Sequence, residues 1–245
     1  MMADKPTTPF PRLEGGVVHV FWIATDLPPA GLRLLEPLLS PAERARSDRY
    51  HFPRDRGRYV AARARLRLLL GHYSARAPME VEFDTGPFGK PSLRPAHGAG
   101  HIQFNLSRSG GVGVIAIGLE DDLGIDVEHI RPFDHVLAIA ERWFTAGEHR
   151  ALVALTEDAQ PTAFFRYWAR KEALVKSLGR GLSYPLNQFE LTPEGLSVEH
   201  VTVQCDGGTH SRSIVPVPAL FDGFVAALST AQMMPTVRCW SWPTD

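Results

Sequence analysis

The sequence predicts an α/β (α+β) protein of two similar lobes, each a small sheet packed with helices, with the boundary near residue 120. Three observations carry that expectation. Short β-branched or aromatic runs alternate with longer amphipathic stretches along the chain. The same loose plan of strands and helices occurs before and after residue 120. GVGVIAIG (111–118) and DGFVAALST (222–230) are also alike, each an apolar strand rich in small residues. A chain of 245 residues is long enough to bury a large core, as one domain or as two small ones.

Residues 1–15, MMADKPTTPFPRLEG, are rich in proline and polar residues and read as a flexible N-terminal tail. The first lobe is expected over 16–120. VVHVFWIA (17–24) is a strand. SPAERARSDRY (40–50) opens a helix, with Ser40 as cap and Pro41 at the first helical position. RGRYVAARARLRLLLGHYS (56–74) is a longer amphipathic helix that Gly71 helps to end. The turn-rich DTGPFGKPSLRPAHGAG (84–100) follows, then HIQFNLSRSGGVGVIAIGLEDD (101–122), two strands around a polar turn. The second lobe, 121–245, starts with a strand at LGIDVEHI (123–130). Helices are expected at HVLAIAERWF (135–144), TAGEHRALVALT (145–156) and PTAFFRYWARKEALVKSLG (161–179). Strands at FELT (189–192), SVEHVTVQC (197–205) and GFVAALST (223–230) finish the chain.

Composition excludes several classes. A hydrophobic fraction of 44% and a charged fraction of 22% are those of an ordinary soluble globular protein. The formal net charge of -1 predicts no polyanionic partner. Cys205 and Cys239 match no metal spacing and read as two free thiols in a reducing cytosol, one disulfide being the alternative. The N-terminus lacks the apolar core of a signal peptide, and the longest apolar run, VGVIAIGL (112–119), is too short to span a bilayer. A cytoplasmic protein is expected.

The chemistry concentrates in two stretches. In LGIDVEHI, Asp126 and Glu128 share one face of the strand, roughly 7 Å apart along it. Such a pair repels unless a cation sits between its members or one takes up a proton; a solvated strand face is the plainer reading. In WARKEALVKSLGRGL (168–182), Phe165, Trp168, Ala169, Glu172, Ala173 and Lys176 fall on one helical stripe. Arg166, Arg170 and Ser177 lie on another that reads as a solvent face. Glu172 and Lys176 form an i,i+4 pair, which a simple helix salt bridge would explain. Leu174, Val175 and Leu178 make the far side apolar too, so the helix is largely enclosed and Glu172 needs a partner. Asp126, Glu128 and Glu172 together are the oxygen donors a hard cation prefers. Mg²⁺ shares its shell with substrate phosphates, whose charge Lys176 would balance.

Positive charge gathers in the first half, with nine arginines at 44, 46, 49, 54, 56, 58, 63, 65 and 67. Wet helix faces, a nucleic-acid surface, and a site for a phosphorylated ligand or acidic partner compete as explanations. FGKPSL (88–93) and NLSRSGG (105–111) both suit close approach to a phosphate. No P-loop is present, GRGL is not a nucleotide loop, and the ten histidines include no i,i+4 ligand pair. His129 reads as a turn or surface residue and Trp168 as core. These residues point to chemistry at a phosphate or pyrophosphate; a Mg²⁺-dependent phosphate-transfer enzyme competes with a non-catalytic module that binds a carrier protein or nucleic acid and whose acids are structural.

Taken together, GIDVE (124–128), the WARKEALVKSLGRGL segment and the intervening RWFTAGEHRAL (142–152) resemble the 4'-phosphopantetheinyl transferases of the two-lobed, Sfp-like type. LSPAERARSDRYHFPRDRGRYVAARARLRLLL, FGKPSL and FNLSRSGG match in order and spacing, so the resemblance covers roughly residues 38 to 190. It implies lobes related by a pseudo-twofold axis, each with a mostly antiparallel sheet. It further implies transfer of the phosphopantetheine arm of coenzyme A to a serine of an acyl or peptidyl carrier protein, with release of 3',5'-ADP. Asp126, Glu128 and Glu172 would hold Mg²⁺. Glu148 or a metal-side carboxylate would deprotonate the serine, with Lys176 and Lys171 stabilising phosphate charge. Gly89, Lys90 and Pro91 would lie along the adenine, Arg46, Lys90, Ser107 and Arg108 would meet the 3'-phosphate and its surroundings, and Arg58, Phe88 and Lys176 would also bind the coenzyme. A monomer is implied, with no nucleic-acid or membrane partner. Two departures stand out: Arg108 replaces a histidine common in relatives, and Glu43 lies near where some relatives place lysine.

Overall fold

The computed structural model describes residues 10–94, 101–119, 122–181 and 184–242. The first four-stranded sheet contains β1 (Val17–Ala24), β4 (Ile102–Ser109), β5 (Val112–Leu119) and β10 (Thr236–Ser241). Its order is β10-β1-β5-β4, antiparallel except where β10 runs parallel to β1. The second sheet has β6 (Leu123–His129), β7 (Glu199–Cys205), β8 (Gly208–Val217) and β9 (Phe224–Thr230), in the order β6-β9-β8-β7 and wholly antiparallel. These are the two similar, mostly antiparallel lobes expected. The two strands that look alike in sequence, β5 and β9, are both interior strands. A small hairpin of β2 (Phe83–Thr85) and β3 (Pro91–Leu93) stands apart.

Helices cover the outer faces. Before the hairpin come α1 (Pro29–Leu35), α2 (Pro41–Ser47) and α3 (Pro53–Ser74). In α2 the Ser40 hydroxyl accepts from the Glu43 N–H while the Glu43 carboxylate accepts from the Ser40 N–H, a full capping box. Leu66, Leu69 and Leu70 of α3 pack on Phe21, Ile23, Phe104, Ile115 and Ile117 of the first sheet. Behind the second sheet lie α4 (Val136–Trp143), α5 (Ala146–Val153) and α6 (Gln160–Ser177). Phe164, Phe165, Ala169, Ala173 and Leu174 of α6 share a core with Val201, Val203 and Ile214, and Trp168 packs against it partly buried. A third core of Val18, Trp22, Val114, Ile125, Val127, Val215 and Leu228 joins the two sheets face to face. The layers therefore run helix, sheet, sheet, helix.

Several expectations are corrected. The tail does not stay loose as far as residue 15: Phe10 packs edge-on against Phe21, 4.8 Å between centroids, and Leu13 joins the same core; residues 1–9 lie outside the described residues. Gly71 does not end α3, which starts at Pro53 and runs to Ser74 before Ala75 adopts a left-handed φ of 54°. Gly71 instead lets the Arg76 carbonyl lie 2.8 Å from where a β-carbon would stand. FELT forms no strand, because buried side chains take its backbone groups: Lys171 Nζ donates to the Phe189 carbonyl, and the Leu191 N–H donates to Glu148. Arg170 and Ser177 are not on a solvent face. Arg170 is buried in an ion pair with Glu199 at 3.0 Å, and Ser177 bonds Ser229 of β9 at 3.0 Å. Finally, a boundary at 120 does not divide the chain cleanly, since β10 returns to the first sheet. Both cysteines are free. Among the described residues no helix is long and apolar enough to cross a membrane.

Candidate active site

The site forms where β4 and β6, edge strands of the two sheets, run side by side beneath α6. Leu123, Ile125 and Val127 face the inter-sheet core, so Gly124, Asp126 and Glu128 face α6, as alternation requires. Gly124 has no alternative: a β-carbon there would run into the Ala173 carbonyl and the Ser177 N–H. That close approach brings the last turns of α6 down onto Asp126. α6 then stops where Gly179 turns left-handed at φ 69°, with the Arg180 N–H reaching back to the Val175 carbonyl.

Asp126 is 4% exposed. Its Oδ1 accepts from Lys176 Nζ at 2.5 Å and from the Ser107 hydroxyl at 2.7 Å, while Lys176 also donates to Ser107 Oγ at 3.0 Å. Glu128 Oε2 accepts from Ser109 Oγ at 2.7 Å. Two buried oxygens in this cluster, Asp126 Oδ2 and Glu172 Oε1, have no hydrogen-bond partner. Burial, then the charges of Asp126 and Glu128 against the opposing pull of Lys176, push the Glu172 carboxyl up to about 7. Burial, then Asp126, raises Glu128 as well. Asp126, Glu128, Glu172 and Lys176 are thus close enough to sense one another, and the acid cluster holds more negative charge than Lys176 offsets. Among the described residues no three His, Cys, Asp or Glu side chains are already gathered as a metal cage. Oxygen-only donors, two of them buried and unpartnered, nevertheless fit a hard divalent cation.

Glu148 and Lys171 do not join the acid cluster but bond to each other and to the backbone of 186–191. They form a fully buried ion pair at 2.8 Å. Lys171 Nζ also donates to the carbonyls of Leu186 and Phe189, at 2.7 and 2.8 Å. Glu148 accepts from the Leu191 and Thr145 N–H groups, at 2.8 and 2.9 Å. Burial pulls the Lys171 ammonium below its usual range against the pull of Glu148. The pair clamps the 186–191 segment to α5 and α6.

The basic side divides in the same way. Arg58 grips Asp26 through two contacts of 2.6 Å. Arg56, Arg63 and Arg67 are likewise paired, the last two with Glu43, which is a buried counter-charge. Arg46 and Arg108 are exposed, make no ion pair among the described residues, and converge on one ring: their guanidinium carbons lie 5.6 and 5.9 Å from the Tyr59 centroid. The Phe88–Pro91 turn, with Gly89 at φ 85°, leans on the end of α6. Lys90 Nζ donates to the Ser177 carbonyl at 3.3 Å, and Arg180 lies over the Phe88 ring at 4.6 Å. Lys90 is pulled below its usual range, chiefly by burial. The Ser107 hydroxyl has spent its one proton on Asp126 and has none to donate to a phosphate. Ser109 and Asn105 were not singled out from sequence. Their signal was the two-residue spacing of Asn105, Ser107 and Ser109, which matches that of Gly124, Asp126 and Glu128.

Comparison with known proteins agrees with this geometry. A family model described as the 4'-phosphopantetheinyl transferase superfamily matches residues 122–228. The chain is 36% identical over 190 residues to the 4'-phosphopantetheinyl transferase HetI of Nostoc, covering 77% of this chain and 80% of that protein. It is 38% identical to the 4'-phosphopantetheinyl transferase psf-1 of Bacillus pumilus, over 63% of this chain and 64% of that one. Sfp of Bacillus subtilis, another 4'-phosphopantetheinyl transferase, is 30% identical over 62% of this chain and 66% of its own length. The chain belongs to the 4'-phosphopantetheinyl transferase superfamily, and its reaction is the coenzyme A-dependent phosphopantetheinylation of that family.

Proposed function

We propose that this enzyme transfers the 4'-phosphopantetheine of coenzyme A to a serine of an apo acyl or peptidyl carrier protein, with Mg²⁺ as cofactor and 3',5'-ADP as the leaving product. The observation that carries the reading is the pair of buried, unpartnered oxygens on Asp126 and Glu172 beside a lysine. Asp126, Glu128 and Glu172 would hold Mg²⁺, which when bound neutralises charge on the pyrophosphate. In the transfer, the serine oxygen bonds to the pantetheine-side phosphorus and the phosphorus–oxygen bond to 3',5'-ADP breaks. The serine proton goes to a carboxylate of the cluster. Glu148 does not compete for that role, because it is sealed in its ion pair with Lys171. Lys176, half-buried against Asp126, balances phosphate charge.

The two lobes divide the substrate. Arg46 and Arg108 of the first lobe, unpaired across Tyr59, take the 3'-phosphate, while Phe88, Gly89, Lys90 and Pro91 border the adenine. One chain supplies the site residues of both lobes, which supports a monomer. Phosphoryl transfer asks for positioning and charge neutralisation rather than a protein nucleophile, in keeping with this residue set. The test is to incubate the protein with coenzyme A, Mg²⁺ and a panel of apo carriers and to weigh the carriers. A gain of one phosphopantetheine that needs Mg²⁺ and is lost in Asp126→Ala is the expected result. No gain on any carrier would leave a non-catalytic binding module.

A further inference from the structure

The polar seam between the two sheets contains a feature that the transfer reaction alone does not require. Asn105, Ser107 and Ser109 stand on one face of β4 at two-residue spacing, alongside the free edge of β6. Asn105 Oδ1 accepts from the Ile125 N–H at 2.9 Å, and Ser109 Oγ accepts from the His129 N–H at 3.1 Å. These bonds satisfy edge amides that have no strand partner. Between and beside them, each serine hydroxyl donates to one carboxylate, Ser107 to Asp126 and Ser109 to Glu128, both at 2.7 Å. An S-x-S on one lobe is thus matched, residue for residue, to the D-x-E on the other.

We propose that Ser107 and Ser109 are positioning residues that set Asp126 and Glu128 for metal binding; this rests on the reading of those carboxylates as a Mg²⁺ site. A carboxylate rotates about its terminal bond unless one oxygen is anchored. Ser107 anchors Oδ1 of Asp126 together with Lys176, whose ammonium also donates to Ser107 Oγ and so depends on the same hydroxyl for its place, leaving Oδ2 buried without a protein partner and so presented to a ligand. Ser109 anchors Oε2 of Glu128, and its own oxygen is held by the His129 N–H, so the hydroxyl proton has one direction to point. Groups that orient metal ligands in this way contribute about tenfold to a hundredfold in metal affinity. The first lobe therefore supplies, besides its basic residues, the outer support of the second lobe's metal site.

The experiment is a Mn²⁺ titration of the full chain with coenzyme A and no carrier, reading free Mn²⁺ by its EPR signal. Ser107→Ala and Ser109→Ala are each expected to weaken Mn²⁺ binding by about tenfold or more. Ser107→Thr and Ser109→Thr, which keep the hydroxyl, should restore it. For Ser109→Ala, coenzyme A affinity measured by calorimetry in EDTA should stay within about twofold, a separation that a merely structural role would not produce. Unchanged Mn²⁺ affinity in both alanine variants overturns the proposal. So does a joint fall in Mn²⁺ and coenzyme A binding that threonine fails to restore. If the wild-type protein takes up no Mn²⁺ beyond that bound by coenzyme A alone, the metal reading itself fails and the proposal falls with it.

Discussion

At the scale of single residues, the raised carboxyl of Glu172 has a measurable consequence. Its folded-state value of about 7 lies above the ordinary 4.5, so between those limits the native state holds a proton that the unfolded chain has released. Stability is then lost as pH rises through that window, and the full penalty is present above it. In EDTA, Glu172→Gln should melt at a higher temperature than wild type near pH 8, and the gap should close as pH falls toward 4.5. A differential scanning measurement at both ends of the window checks the sign. The same variant should lose transfer activity. Arg108 supports a different expectation. It is exposed, unpaired and shares Tyr59 with Arg46, so Arg108→Ala should raise the KM for coenzyme A with little change in kcat at saturation. Steady-state kinetics separates the two constants, and an unchanged KM would refute the assignment.

At the scale of elements, the contact of α6 with β6 decides whether the acids meet. Gly124→Ala puts a methyl into the Ala173 carbonyl and the Ser177 N–H, so it should lower the melting temperature and activity together. Removing one member of the Glu148–Lys171 clamp leaves the other charge buried without a partner, which costs about 3–5 kcal/mol. Lys171→Met should therefore be severely destabilised, and Lys171→Met/Glu148→Gln should recover much of the stability along with activity. Denaturant titration and transfer assays on both variants test this; stability without activity in the double variant would restore a chemical role. The sequence was most legible where local rules act alone. β1 follows its β-branched and aromatic composition, β6 its period-two alternation, and α2 its cap and proline. It was least legible where a distant side chain overrides a local preference. FELT has strand composition, yet the Lys171–Glu148 pair takes its backbone groups. Arg170 reads as solvated because nothing local announces Glu199. β8 hides behind polar residues and Pro216, which lies past the end of its pairing with β7. The site acids were legible as types and spacing; their serine partners were not, because hydroxyls on a strand carry no distinctive charge.

At the scale of the molecule, the lobes are joined three times: by the apolar core between the sheets, by the β4–β6 seam, and by β10 returning to β1. The last join is strongly aromatic. Trp240 stacks on Phe21 at 5.2 Å and meets the buried His19 ring edge-on at 4.8 Å. Deleting residues 235–245 would bare the β1 edge and strip Trp240 from that cluster, so the shortened chain should aggregate or lose its cooperative melt, as size-exclusion chromatography and circular dichroism would record. The parallel partner of β1 comes from more than two hundred residues away, which is why the two-lobe division drawn from sequence missed it. All of this architecture serves one juxtaposition, the acids of β6 against the acid and lysine of α6. The most direct test is a crystal of the protein with coenzyme A and Mn²⁺, measured at the manganese absorption edge. The account predicts an anomalous peak within coordination distance of both Asp126 and Glu172. A peak placed away from these two carboxylates, or coenzyme A bound with its pyrophosphate remote from them, would contradict it.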